Sequence, residues 1–199
     1  MVLSLPNVLP ATALLLTILA PGPLVEDASA KAPARTSIQL TLIGCDGCRV
    51  QPVQNKDGDL TYSAHSKTVV GDRSQIMFSV PTARTDKMAI LVYAPFDEAA
   101  QGGIPAVVAL GFRGKKQGSV ITRAYASTPH HASGCWAGTQ RSHVRRTIVV
   151  RKIRTKDTLL GPGRHTSAAA YVTRTLPARP FYWRIRQNSL HASDPSICK

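Results

Sequence analysis

The stretch Ser37 to Val53, SIQLTLIGCDGCRVQPV, decides how the chain is read. Ile38, Leu40 and Leu42 alternate with Gln39, Thr41 and Ile43. A period of two is the mark of a strand with one buried face. Gly44-Cys45-Asp46-Gly47-Cys48 follows as a turn, since glycine accepts left-handed backbone and aspartate bonds to nearby main chain. Val50 and Val53 resume an extended pattern. A redox Cys-x-x-Cys works because a helix N-terminus lowers one thiol pKa. Here Pro52 would interrupt any helix starting after Cys48. The pair is therefore expected to form a structural bridge, with thiol–disulfide exchange as the alternative.

Working outward, further strands follow, with clean alternation at Ile76, Phe78 and Val80 and at Ile90 and Val92. Lys67 to Val70, Gln75 to Val80, Lys87 to Ala94, Ile104 to Phe112, Ser119 to Ala126, His143 to Arg154, Thr166 to Thr173 and Phe181 to Arg186 read as strands. Asp57-Gly58, Gly71-Asp72, Gly102-Gly103 and Gly161-Pro162-Gly163 supply turns between them. No segment holds a helical period for three turns, and Asp97 to Gln101 amounts to one turn at most. An all-β domain is predicted: an antiparallel β-sandwich of immunoglobulin-like or Greek-key type, with about 8–10 short strands. A closed β-barrel is the alternative.

Residues 1–30 are expected to be a secretory signal peptide. An apolar run from Ala11 to Ala20 precedes Pro21-Gly22-Pro23 and the small-residue site Ala28-Ser29-Ala30. The run is well short of the roughly 20 residues that span a bilayer. Cleavage before Lys31 leaves 169 of the 199 residues as a single soluble domain, 31–199, secreted from the cell. Ala, Arg, Thr and Val usage resembles that of small exported proteins from GC-rich bacterial genomes.

Charge is distributed unevenly. Lys31 to Phe112 carries eight basic and seven acidic side chains. Arg113 to Lys199 carries 17 basic residues against Asp157 and Asp194 alone, a net +15. A one-sided excess of that size is what a surface facing polyanions presents. The candidate anion-binding residues are Arg145, Arg146, Arg151, Lys152 and Arg154 on one strand, with Arg184 and Arg186 on another. Arginine forks match phosphate and sulfate in bidentate fashion. Strict alternation divides the first five between two faces of their strand.

Four cysteines in an exported chain imply two disulfides. Cys45–Cys48 and Cys135–Cys198 is the favoured pairing of three. No catalytic set emerges. Glu98 is the only glutamate after residue 30, the aspartates sit mostly in turns, and no G-x-S-x-G occurs. His130-His131 reads as an ordinary loop pair rather than a metal site, and no cofactor is called for. The expected function is a non-enzymatic module that holds an anionic polymer at or outside the cell surface: a cell-wall polymer, a polysaccharide or a nucleic acid. The alternatives are a secreted hydrolase with an unassembled site and a redox protein using Cys45 and Cys48.

Overall fold

A computed structural model describes residues 31–56, 59–112, 132–155 and 161–172. From Ala32 onward these belong to one compact unit. The strands, in chain order, are β1 (Arg35–Ile43), β2 (Arg49–Lys56), β3 (Asp59–Ser63), β4 (Lys67–Thr68), β5 (Gln75–Pro81), β6 (Asp86–Tyr93), β7 (Ala106–Val107), β8 (Gly111–Phe112), β9 (Ala132–Ser133), β10 (Trp136–Ala137), β11 (His143–Thr155) and β12 (His165–Val172). A 3-10 turn covers Thr82–Arg84, and α1 is the single turn Glu98–Gln101. The all-β expectation holds, with twelve strands among the described residues rather than about ten. No helix of the described residues is long and apolar enough to cross a membrane.

One sheet has the order β12-β11-β1-β5 and a second β10-β6-β2-β3, with β4 beside β2 and β7 beside β6. A small third sheet pairs β8 with β9. Two corrections to the sequence reading follow. Among the described residues the larger sheets are open and form no closed barrel, against the barrel alternative. The first sheet is mixed rather than antiparallel: β1 runs parallel to β11, with Ile38 opposite Val144 and Leu42 opposite Ile148. Hairpin signals relate neighbours in sequence, whereas parallel strands need a long crossover. Here that crossover contains most of the second sheet.

Along β1 the burial alternates residue by residue, with Thr36, Ile38, Leu40 and Leu42 inward. Ile38, Leu40 and Leu42 pack with Phe78 and Val80 of β5, Val144, Ile148 and Val150 of β11, and Ala168, Ala170 and Val172 of β12. The same core cluster contains Val50 of β2, Met88, Ile90 and Val92 of β6, and Trp136 of β10. The segment predicted as one strand, Ile104 to Phe112, instead passes from one sheet to the other. Ala106 and Val107 pair with β6, while Ala109 exchanges hydrogen bonds with Ala170 and Val172 of β12.

The Cys45–Cys48 disulfide sits in the turn after β1 with a Cα separation of 5.5 Å. Both residues are buried. A bridge that closes so short a loop adds about 2 kcal/mol in the chain-entropy picture. Most of the turn's order comes from the facing loop. Gly47 N donates to Val69 O, Val69 N donates to Cys48 O, and Asp46 Oδ1 accepts from Gly71 N. Asp72 Oδ1 in turn accepts from Gly44 N. Cys135 is buried and disulfide-bonded as well; Cys198, its expected partner, lies outside the described residues.

Gly44 carries the tightest constraint at this corner. Its φ is +80°, and a Cβ there would lie 2.6 Å from the carbonyl oxygen of Val150. Left-handed backbone costs an L-residue about 1–2 kcal/mol, and the collision with main chain adds to that. Gly44→Ala is expected to destabilise the fold by roughly 2–4 kcal/mol. Urea unfolding checks this, and a midpoint unchanged from wild type would show that the β1–β11 pair yields easily.

Candidate anion-binding cleft

The start of β11 follows a parity set by its apolar residues. Val144, Ile148 and Val150 face the core, so Arg146, two residues from each neighbour in that series, faces the core too. It stands opposite Leu40 of β1, which is fully buried. Arg146 is accordingly half-buried. Its Nε is enclosed and has no hydrogen-bond partner. One Nη group donates to the carbonyl oxygen of Arg145. Burial, and secondarily the positive charge of Arg141, push the Arg146 pKa down to about 10. The group stays cationic at neutral pH, and the shift registers the cost of keeping charge out of water.

A cleft of ≈350 Å³ opens beside it. Arg141, Arg145, Arg146, His143, Thr139 and the edge of Trp136 form its walls. Among the described residues, none that lines it is acidic. Among the described residues, none of the three arginines has an ion-pair partner. Arg145 is exposed, and its Nε donates to His143 Nε2 at 2.9 Å.

The wall between β10 and β11 is held from several directions. Ser37 N donates to Ser142 O, and Thr36 Oγ1 donates to Arg141 O, so the first residues of β1 grip the segment. Thr139 N donates to Thr85 Oγ1, and Arg141 N donates to Thr139 Oγ1. Gly138 has φ +81° and lets the chain pass close to Asp86, where a Cβ would come within 3.2 Å of the main chain. The arginine-bearing wall is therefore built before any ligand arrives, and preorganisation of that kind reduces the entropy cost of binding.

Arg145 and Arg146 are thus brought together with Arg141, which the sequence reading did not single out. Arg151, Lys152 and Arg154 are exposed, lie toward the other end of β11, and do not line this cleft. Arg151 shares a strand face with Arg145, while Lys152 and Arg154 share one with Arg146. Lys152 Nζ lies 5.9 Å from the centroid of the Phe96 ring. Arg184, Arg186, His130 and His131 lie outside the described residues.

No family model, curated protein or solved structure matches the chain. The chemistry of the cleft is accordingly read from its own side chains. Among the described residues no group of three or more His, Cys, Asp or Glu side chains is placed to hold a metal ion. One carboxylate–imidazole pair occurs elsewhere: Glu98 Oε2 lies 2.9 Å from His165 Nδ1. Its atoms are engaged in structure. Glu98 Oε1 accepts from Thr166 N, and His165 Nε2 faces Gly161 O at 3.2 Å.

Proposed function

We propose that this chain is an exported, non-enzymatic β-sandwich module that binds an anionic polymer at or outside the cell surface. The sandwich form is supported by the core cluster, which draws on both larger sheets, and by the crossing of residues 106–109 between them. Binding is supported above all by one observation: three arginines line a cleft that has no acidic side chain among the described residues. The net +15 carried by residues 113–199 extends the same preference over the second half of the chain. Arg151, Lys152 and Arg154 supply further contacts along β11, on the order of 15–25 Å from the cleft at 3.3 Å per residue. A polymer can engage both groups where a small anion cannot. Burial of Cys45 and Cys48 favours a structural role for that bridge over exchange with other thiols.

Affinity chromatography tests the proposal. Retention on immobilised wall polymer, acidic polysaccharide or DNA should fall steeply with salt. For duplex DNA the slope is about 0.9 log units per log salt for each phosphate engaged. One polymer should be preferred over the others at equal ionic strength. Elution from all of them at the salt that releases an unrelated protein of equal charge would refute specific binding.

A further inference from the structure

We infer that the cleft beside β11 is a pocket for a single oxyanion carried on a sugar-sized group, with Arg146 as the residue that determines specificity. The inference rests on the polymer-binding reading above and goes further, because it assigns recognition to a pendant or terminal group rather than to the charge density of the chain. Size supports it. At ≈350 Å³ the cleft is at the small end of ligand pockets, a volume that suits one acidic sugar residue.

The state of Arg146 points the same way. Its Nε is buried without an acceptor and its charge has no acidic partner among the described residues. A guanidinium presents its N–H groups as a planar fork, which the oxygens of a carboxylate, sulfate or phosphate can meet. An oxyanion entering the cleft would meet the open part of that fork, the enclosed Nε excepted, and supply the negative charge that the three arginines lack among the described residues. Arg141 would meet the far side of the same anion. That placement also explains how two like charges, close enough to lower the Arg146 pKa, are tolerated at one site. Thr139 and His143 offer the polar contacts that would orient a sugar hydroxyl.

Isothermal titration of the purified full chain with glucuronate, glucose 6-phosphate, inorganic phosphate and neutral glucose tests the inference. The carboxylate and phosphate arms decide which oxyanion is preferred. Saturable 1:1 binding of one sugar acid is expected, with weaker binding of inorganic phosphate and none of glucose. Arg146→Lys keeps the charge and removes the fork, and should weaken that binding at least tenfold. Arg164→Gln removes one exposed charge away from the cleft and should leave binding within twofold. Thermal unfolding of each variant establishes that it is folded, and Arg146→Met provides a second variant if the lysine proves unstable. Loss of less than threefold in both Arg146 variants, or no 1:1 binding of either sugar acid, would overturn the pocket. Polymer retention that survives in such a case would leave the broader reading standing. Sugar-acid binding without any polymer preference would do the reverse.

Discussion

Asp97→Ala is expected to lower the midpoint of thermal unfolding by about 5–15 °C, because one buried carboxylate closes two structural gaps. Oδ1 accepts from Ala99 N and caps α1, while Oδ2 accepts from Ala168 N on β12. Among the described residues β12 is the last strand of its sheet, and an uncovered strand edge exposes a row of unpaired main-chain groups. Here that edge is met group by group. Thr166 N donates to Glu98 Oε1, Ala168 N to Asp97 Oδ2, and Val172 N to Ala109 O, while Ala170 O accepts from Ala109 N. Alanine at position 97 would strand the Ala168 amide in an environment where that residue is fully buried. A lost cap costs about 1 kcal/mol and an unsatisfied buried amide about 1–3 kcal/mol, so roughly 2–4 kcal/mol is expected. Asp97→Asn keeps one acceptor and should fall between alanine and wild type. Hydrogen exchange at Ala168 should accelerate first, and a midpoint within 2 °C of wild type would mean the edge is held by other means. Glu98 adds a pH dependence of known sign. The Thr166 amide chiefly, and His165 next, hold its carboxyl below the ordinary value of 4.5. Its contribution is therefore present above that value and is lost as pH falls through the lower folded value.

These contacts show where sequence reading reaches its limit in this chain. Period-two patterns found β1, β5, β6 and β11, because alternation is local and the buried face leaves a visible trace. The one-turn helix at Asp97 to Gln101 was equally visible. Its purpose was not, since Asp97 and Glu98 bond to residues 71 and 68 positions later. The parallel pairing of β1 with β11 has no local signal for the same reason. Arg146 is the instructive intermediate. Val144, Ile148 and Val150 share its face of β11, but Val149 and Ile153 on the other face are buried as well, so alternation alone leaves its orientation open. Nor did the sequence reveal the wall opposite. Arg141 and Thr139 take their positions from Thr36, Ser37 and Thr85, and no spacing rule connects such distant residues. Conversely, charge counting grouped Arg151, Lys152 and Arg154 with Arg145 and Arg146, although the cleft takes only the last two.

Arg146→Met should make the protein more stable while it weakens anion binding, and the opposite signs are what make the substitution informative. A cation taken out of water with no acid to meet it is a net cost to the fold, and replacement of buried charge by an apolar side chain of similar length is often stabilising. Arg146 is only half-buried, so solvent screens part of that cost. A gain of roughly 1–3 kcal/mol is expected, or about 3–10 °C in the unfolding midpoint for a domain of this size. Methionine has the reach to occupy the channel of the arginine stem beside Leu40 and Ile148 without strain. Relief of repulsion should also return Arg141 to an uncontested position. Differential scanning calorimetry at neutral pH, with no anion and then with added glucose 6-phosphate, separates the two effects. Wild type should gain stability as the ligand is added, since a ligand that binds only the folded state raises the midpoint by mass action. Arg146→Met should begin higher and respond little. A residue that costs stability when empty and recovers it when occupied is one retained for binding rather than for folding. If the methionine variant instead melts below wild type, the guanidinium is already compensated within the fold, and the cleft has no unmet charge for a ligand to satisfy.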